Sequence, residues 1–361
     1  MTRHALLPLL IAPLLTQAST PSTPGGLPFV INTWGGPFTI ATDTAYNLLI
    51  RNPPPSGSST AYISALDAVE QGCAACERNQ CDGTVGHGGS PDEHCETTLD
   101  AMIMDGTAMR SGAVAGLRRV RHAIAAARLV LEHTTHTMLA GDLATLFALQ
   151  NGLPEEDLGT PESLARCASW RDEDRCQPNY RVNVLPDPEE SCGPYTPLSR
   201  SGQQLPLDTR RQASHDTISQ VVIHRDGTMA AGTSTNGASH KVPGRVGDGA
   251  ITGSGSYVDG EVGGCGATGD GDIMMRFLPC YQAVENMRRG MSPTEAAEDA
   301  VARMVRKYPG VSSGLIVVDR DGRHGGAASG WTFTYSYRGG DMDETKVVTV
   351  EPVEVERRSE L

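Results

Sequence analysis

The feature that most constrains this fold is an alternating apolar segment that begins at Thr217 and runs into a tight turn. TISQVVIH is separated from TMAAGTST by an Asp-Gly step, Asp226-Gly227. Such a step between two strand-like runs predicts a β-hairpin. SGLIVVDRDGRHGGAAS repeats the arrangement around Asp321-Gly322. The C-terminal part of the chain therefore contains two predicted hairpins.

Two helices are predicted between these hairpins. The first is GDIMMRFLPCYQAVENMRRG, and the second opens with Ser292, Pro293 and Glu295. A serine followed three residues later by glutamate is a capping box, and proline suits the first helical position. Hairpin, two helices and hairpin predict a sheet covered by helices.

Strands and helices also alternate in the N-terminal half. LPFVINTW (27–34) predicts a strand and AYISALDAVEQGC (61–73) a helix. The Gly-, Cys-, Asp- and Pro-rich stretch after Cys73 predicts a loop, and TTLDAMIMDG (97–106) a strand. From Val114 onward, apolar residues at helical spacing predict an amphipathic helix.

The segment from Leu185 to Ser214 has no periodicity and many Pro, Ser, Gly and charged residues. This composition predicts a mobile linker of about 185–216. The linker ends directly before the strand that starts at Thr217.

Composition narrows the class of protein. The chain has 361 residues, of which 39% are hydrophobic and 20% charged. It can therefore bury a sizeable core, in one large domain or two small ones. A formal net charge of -13 argues against a nucleic-acid or anionic-membrane partner and favours a small-molecule substrate.

Residues 1–18 have the pattern of a signal peptide. Arg3 precedes an apolar run from Ala5 to Leu15, and small residues around Ala18 suit cleavage. The run is too short to span a bilayer. We therefore expect a mature protein without a membrane anchor that is lysosomal or secreted, or periplasmic in a bacterium.

The nine cysteines predict disulfides with at least one thiol left over. Cys73, Cys76, Cys81 and Cys95 form a cluster that in a reducing compartment would suggest a metal centre. The signal peptide disfavours that interpretation, so we expect no metal. The alternative of a non-catalytic, disulfide-rich metal-binding or interaction protein rests on this cluster.

Thr217 can be interpreted chemically. Cleavage of the bond before it would leave a hydroxyl and a free α-amine on one residue. An α-amine has a pKa of about 8, so part of it is neutral at pH 7 and can accept the hydroxyl proton. Thr217 would then supply both nucleophile and base. The alternative is an ordinary strand threonine.

Three glycine-dense segments, predicted as loops, follow Thr217 in the sequence: GTSTNG (232–237), GRVGDGAITGSGSY (244–257) and GATGDGD (266–272). Glycines let backbone N–H groups approach an oxyanion. Arg245 and Asp248 could bind an α-carboxylate and an α-ammonium respectively. Their spacing is equally consistent with a salt bridge that stabilises the loop.

These segments resemble the glycosylasparaginases, which are N-terminal-nucleophile hydrolases. The resemblance is carried by NTWGGPF, ALDAVEQGCAACERNQCDGTVGHGGSPDE, TTLDAMIMDGTAM, LEHTTHTMLAG, CQPNYRVNVLPDPEESCGPY, HDTISQVVIH, AAGTSTNG, GRVGD and ATGDGDIMMRFLPCYQAVENMRRG. It implies an α+β fold, a four-layer αββα sandwich. It also implies self-cleavage between Asp216 and Thr217 into subunits 19–216 and 217–361 that form one domain, assembled as a dimer of such pairs.

The resemblance also implies roles at matched positions. The implied reaction is hydrolysis of the amide between N-acetylglucosamine and asparagine in glycoprotein degradation, without a cofactor. The implied catalytic residues are Thr217, Thr235 beside it, and Thr268 with Gly269 in the oxyanion hole. The implied substrate-binding residues are Arg245, Val246, Gly247, Asp248, Asp270, Gly271, Trp34 and Thr33.

The resemblance pairs Cys76 with Cys81 and Cys176 with Cys192. It leaves Cys73, Cys95, Cys167, Cys265 and Cys280 without an assigned partner. The chain departs from the family at 263–266, where glycines and Cys265 replace residues that are mostly alanines, and we expect altered loop rigidity there.

A second candidate is an isoaspartyl peptidase or L-asparaginase of the same fold, which would share the nucleophile and the Arg/Asp pair. Asp216 and Trp34 favour the glycosylasparaginase, because the sister enzymes usually have glycine at the position of Asp216.

Overall fold

The structure is a computed structural model that describes residues 26–51, 62–199 and 217–354. Its strands are β1 (Phe29–Thr33), β2 (Leu99–Asp105), β3 (Arg110–Leu117), β4 (Met138–Ala140), β5 (Val184–Leu185), β6 (Thr196–Pro197), β7 (Ile218–Ile223), β8 (Met229–Thr235), β9 (Ser256–Asp259), β10 (Gly263–Gly269), β11 (Ser313–Asp319), β12 (His324–Ser329), β13 (Phe333–Gly339) and β14 (Lys346–Val350). Its α-helices are α1 (Thr39–Arg51), α2 (Ala65–Asn79), α3 (Ala123–His133), α4 (Gly141–Gln150), α5 (Pro161–Asp172), α6 (Gly271–Met274), α7 (Pro279–Arg288) and α8 (Pro293–Lys307).

Two stacked sheets form the centre of the described part. The larger has the order β14-β13-β1-β7-β8-β2-β3-β4 and the smaller β12-β11-β10-β9. Helices α1, α2 and α3 pack on the outer face of the large sheet, and α7 and α8 on that of the small sheet. The architecture is therefore the expected four-layer αββα sandwich, an α+β fold.

Strand alternation distributes side chains between three apolar cores. On β1, Val30 faces the helices, whereas Phe29 and Ile31 face the opposite sheet. The β7–β8 hairpin is confirmed, with Ser219 opposite Thr233. Thr217 and Thr235 continue the inter-sheet faces of β7 and β8, so both point between the sheets.

Several boundaries differ from the sequence-based predictions. Helix α2 continues past Cys73 to Asn79, which shortens the predicted loop. The helix predicted from Val114 is confirmed only from Ala123 onward, where α3 begins, because β3 extends through Leu117. β3 pairs with strands on both sides and is buried along most of its length, so its apolar residues do not alternate. The β11–β12 hairpin and the capping box of Ser292 are confirmed.

Four disulfides lie within the described residues. Cys76–Cys81 and Cys176–Cys192 are the pairs that the resemblance implies, and Cys95–Cys167 and Cys265–Cys280 are additional. Cys73 is a buried free thiol. Three of the four cysteines in the N-terminal cluster, Cys76, Cys81 and Cys95, are therefore engaged in disulfides. Within the described part, no helix is long and apolar enough to cross a membrane.

The predicted linker falls partly outside the described residues, which exclude 200–216. Before that gap, β5 and β6 form a two-stranded ladder, so regular structure extends beyond Leu185. The signal-peptide prediction for 1–18 also lies outside the described residues.

Glu77 of α2 links its helix to the neighbouring helix α3 and to strand β8 of the large sheet. Its Oε1 accepts from the Ile124 N–H at 2.9 Å and from the Ser234 hydroxyl at 2.7 Å. The side chain is buried, and burial raises the pKa of Glu77 to about 7. Glu77 thus fixes the start of α3 and the end of β8 with a carboxyl group that titrates near neutrality.

We predict that Glu77→Gln flattens the pH dependence of stability. The folded chain holds a proton on Glu77 from the pKa of an exposed glutamate, about 4.3, up to about 7. The free energy of unfolding therefore falls as pH rises through that window, by on the order of 3 kcal/mol. Glutamine keeps the acceptor but does not titrate. Melting temperatures from about pH 4.5 to 8 would measure this effect.

The matched control is Glu132→Gln, on the exposed side of α3, which should follow the wild-type pH dependence. Melting curves of Glu77→Gln that run parallel to wild type at every pH would contradict the role assigned to Glu77.

Candidate active site

The centre of the site is a set of threonines at one end of the inter-sheet layer. The Thr217 hydroxyl donates to Thr235 Oγ1 at 3.1 Å, and the Thr217 backbone nitrogen donates to Thr268 Oγ1 at 3.0 Å. Thr33 Oγ1 donates to the Thr217 carbonyl at 2.8 Å and accepts from the Ser219 N–H at 2.8 Å. Four strands, β1, β7, β8 and β10, therefore fix the nucleophile candidate. All four threonines are buried.

Thr268 is placed to donate a hydrogen bond into the site. Its oxygen accepts from the Thr217 nitrogen and from Trp34 Nε1 at 3.3 Å. A hydroxyl has two lone pairs and one proton. Because both lone pairs are engaged, the proton can be donated to a third group.

Gly269 follows Thr268 in a backbone conformation that requires glycine. Its φ is +133°, and a Cβ there would lie 2.3 Å from the Ser312 carbonyl oxygen. Asp270 continues this segment and is tied to Ser312, whose N–H donates to Asp270 Oδ2 at 2.8 Å. The end of β10 is thus held in one conformation beside Thr217.

The sequence at 263–266 forms part of strand β10 rather than a loop, which corrects the expectation of altered loop rigidity. A Cβ on Gly266 would lie 3.0 Å from Ser219 Cβ, and one on Gly264 2.6 Å from Val221 Cγ1. Glycines at positions 264 and 266 therefore allow the two sheets to approach each other closely. The Ser219 hydroxyl donates a hydrogen bond across the inter-sheet interface to the Gly255 carbonyl, at 2.7 Å.

A charged pair lies on the Thr235 side of the site. Arg245 binds Asp272 rather than Asp248, with Nη2 2.8 Å from Oδ2. Although burial opposes its charge, the pairing with Asp272 raises the pKa of Arg245. Among the described residues, neither Arg245 Nη1 nor Asp248 Oδ2 has a hydrogen-bond partner, and both atoms are buried.

Asp248 and Arg245 both face Gly271. A Cβ at Gly271 would lie 2.5 Å from Asp248 Oδ1 and 3.1 Å from Arg245 Nη2. Burial raises the pKa of Asp248 to about 7, against the opposing effect of Arg245. A buried charged donor and a buried carboxylate that lack partners are typical of a binding site for a ligand with both charges.

Trp34 closes the other side of the site. Its φ of +70° is rare for a tryptophan and is typical of functional positions. The ring packs edge-on against Trp331 and Phe333, with centroid distances of 5.3 and 5.1 Å. The site thus has a charged end near Thr235 and an aromatic end near Thr33 and Thr268.

The structure brings the predicted site residues together in two groups. Thr33, Thr217, Thr235 and Thr268 form one hydrogen-bonded group that Trp34 joins, while Arg245, Asp248 and Gly271 form the charged end. Gly247 is buried in the loop between them, and Val246 is half-buried. Asp216 lies outside the described residues.

Comparison with known proteins identifies the family. The sequence pattern of the family described as Asparaginase matches residues 60–347. The chain belongs to the asparaginase family. It is 50% identical to the rat N(4)-(beta-N-acetylglucosaminyl)-L-asparaginase over 335 residues, covering 91% of this chain and 92% of the rat protein.

Two further relatives of this asparaginase-family chain are informative. The mouse N(4)-(beta-N-acetylglucosaminyl)-L-asparaginase is 51% identical over 326 residues, covering 90% of this chain and 89% of the mouse protein. An Arabidopsis thaliana protein named probable isoaspartyl peptidase/L-asparaginase 3 is 48% identical over 362 residues, covering 95% of this chain and 96% of the Arabidopsis protein. The family contains both activities considered from the sequence.

Sequence reasoning missed the carboxylates that support the charged end. Asp272 pairs with Arg245, and Asp100 lies beneath the loop. Asp100 Oδ1 accepts from the Gly116 N–H at 2.7 Å, and its Oδ2 accepts from the Gly247 N–H at 3.3 Å. The available signal for Asp100 was an acidic residue that precedes the apolar run Ala101–Met104 of β2.

We predict that Asp100→Asn destabilises the protein. Both oxygens of Asp100 accept backbone N–H groups, and an amide NH₂ in place of one oxygen would face a donor. An unsatisfied buried group costs about 1 to 3 kcal/mol, which a thermal or urea melt would detect.

Asp105→Asn is the control in the same strand. Asp105 uses a single oxygen, Oδ1, to accept from Thr107 and Ala108, and asparagine retains such an oxygen. It should change stability by less than about 0.5 kcal/mol. Equal stability of the two variants would contradict the role of Asp100.

Proposed function

We propose that this protein is an amidohydrolase that cleaves the bond between N-acetylglucosamine and asparagine, the activity named for its rat and mouse relatives. The observation that carries the proposal is a pair of buried atoms without hydrogen-bond partners among the described residues, Arg245 Nη1 and Asp248 Oδ2, on the Thr235 side of the site. The α-carboxylate of an asparagine moiety would satisfy the first, and its α-ammonium the second.

The proposed mechanism begins with self-cleavage between Asp216 and Thr217. The Thr217 hydroxyl attacks the Asp216 carbonyl, and the C–N bond of the peptide breaks, which frees the Thr217 α-amine and leaves Asp216 as an ester on the Thr217 oxygen. Water then hydrolyses this ester to the Asp216 carboxylate and the free Thr217 hydroxyl. Residues 19–216 and 217–361 then form two subunits of the same folded domain. β7 lies between β1 and β8 in the large sheet, so strand pairing holds the subunits together after the cut.

In substrate hydrolysis, the Thr217 hydroxyl attacks the side-chain amide and the α-amine accepts its proton. The Thr268 hydroxyl and the Gly269 N–H stabilise the oxyanion. The amine then protonates the leaving glycosylamine, which leaves a β-aspartyl ester on Thr217. Water hydrolyses the ester and releases aspartate. Thr235 orients the nucleophile, and no step requires a cofactor.

The cellular setting follows from the same proposal. Four disulfides favour an oxidising compartment, so we propose a secreted or lysosomal protein. We further propose a dimer of the two-subunit unit. Helix α4 presents exposed Leu143 and Leu146, 76% and 49% accessible, as apolar surface for such an assembly.

The direct test is a comparison of substrates with the purified, cleaved protein. N-acetylglucosaminyl-asparagine should be hydrolysed with a higher kcat/KM than free asparagine or β-aspartyl dipeptides. Preference for the dipeptides would instead assign the activity named for the Arabidopsis relative.

We predict that Thr217→Ala remains a single chain without amidase activity, because the attacking hydroxyl is lost. Intact mass measurement shows whether the chain is cut. Thr217→Ser retains a hydroxyl and should be cut at a measurable rate. Cleavage of the alanine variant before position 217 would show that Thr217 does not cut the chain.

We predict that Arg245→Lys is cut normally but hydrolyses the substrate poorly. Lysine keeps the charge and loses the planar group that pairs with Asp272 and presents Nη1. We expect kcat/KM to fall by an amount on the order of 2 to 4 kcal/mol in transition-state stabilisation.

Arg323→Lys is the matched control, since Arg323 is half-exposed and pairs with Asp319 and Asp321 in the β11–β12 turn. It should retain wild-type kcat/KM. A cut Arg245→Lys protein with unchanged kcat/KM would remove Arg245 from the site.

A further inference from the structure

The two ends of the site differ in chemistry, and a substrate must lie across both. Arg245 and Asp248 occupy the end near Thr235. Trp34 lies at the opposite end, where its Nε1 contacts Thr268. With the amino-acid portion bound at the charged end, the leaving group lies at the aromatic end.

Trp331 packs against Trp34 at the aromatic end of the site. It lies in the β12–β13 connection, and its ring meets Trp34 at an interplanar angle of 74°. Its indole Nε1 donates to the Ser313 carbonyl at 3.1 Å. Ser313 pairs with Gly269 across β10 and β11, so Trp331 is anchored to the strand beside the predicted oxyanion hole.

Trp331 therefore offers an apolar surface in a fixed orientation. Its polar N–H is engaged by the backbone, and the residue is only partly buried. All other atoms of the indole ring are carbons, so a ligand that meets the ring meets an apolar surface. Edge contacts between aromatic rings restrict ring orientation and favour a rigid platform.

A pyranose ring is a chemically suitable occupant of such a surface. One face of the ring carries C–H groups that pack against indole carbon, while its hydroxyls remain in water. Ammonia, the leaving group from free asparagine, is too small to reach the platform. A contact with Trp331 would therefore distinguish substrates by their leaving group. It would not change how the acyl half of the substrate binds.

We propose that Trp331 is a specificity-determining residue that contacts the sugar ring of the leaving group. This inference rests on the proposed amidase function and adds a residue that neither the Thr217 chemistry nor the Arg/Asp pair requires. Trp34 positions the Trp331 ring by edge contact.

The experiment compares Trp331→Ala, Trp331→Phe and wild type on two substrates with the same acyl half, N-acetylglucosaminyl-asparagine and asparagine. We expect Trp331→Ala to lower kcat/KM for the sugar substrate about tenfold, mainly through KM. Hydrolysis of asparagine should change less than about twofold. Trp331→Phe, which keeps an aromatic face, should recover most of the lost activity.

Tyr281→Ala is the matched control, since Tyr281 is 46% exposed and also lies edge-on to another ring, that of Tyr257. Tyr281→Ala should hydrolyse both substrates with the wild-type kcat/KM. An equal loss on both substrates in Trp331→Ala would show a structural role only and overturn the proposal, as would no loss on either.

Failure of the underlying function is distinguishable from failure of this proposal. Wild type that cleaves β-aspartyl dipeptides but not N-acetylglucosaminyl-asparagine would overturn both. Wild type that hydrolyses the sugar substrate, together with a fully active Trp331→Ala, would overturn the assignment of Trp331 alone.

Discussion

The close contact of the two sheets is the constraint on which the site depends. Opposite Ser219, β10 has Gly266, and a Cβ there would lie 3.0 Å from Ser219 Cβ. Two residues further along each strand, the same spacing brings the Thr217 nitrogen within 3.0 Å of Thr268 Oγ1. A Cβ at 264 or 266 would crowd the facing side chains of Val221 and Ser219. The hydrogen bond between Thr217 and strand β10 thus accompanies close packing of the two sheets.

The second constraint is electrostatic. Arg245 lies near the carboxylates of Asp100, Asp248 and Asp272. Lys241 is buried and lies near those of Asp100 and Asp92. Burial raises the pKa of Asp248 to about 7 and lowers that of Lys241 to about 8. A bound ammonium would favour the ionised form of Asp248 and so lower its pKa again. Ligand binding and proton release at Asp248 should consequently be coupled.

The sequence predicts features that depend on neighbouring residues and misses those that depend on distant ones. The β7–β8 hairpin and the capping box of Ser292 have local chemical signals, and both are present. The Cys95–Cys167 disulfide joins residues 72 apart, and the Arg245–Asp272 pair joins 27, so spacing alone indicates neither. β3 was predicted as helix because a strand buried on both faces loses its alternation. Thr217 was predicted from its own sequence context and Thr33, Thr235 and Thr268 from the resemblance, but the hydrogen bonds that join them became evident only from the pairing of the strands.

The register of β8 determines which of its side chains face the outer helices and which face Thr217. Ser234 and Thr235 are adjacent and point to opposite faces, since Ser234 donates to Glu77 on the helix side while Thr235 accepts from Thr217 between the sheets. A slip of one residue would exchange these faces and place Ser234 beside Thr217. Glu77 also accepts from the first turn of α3, so α2 and α3 together oppose such a slip. Residues that never contact substrate thus determine which hydroxyl lies beside Thr217.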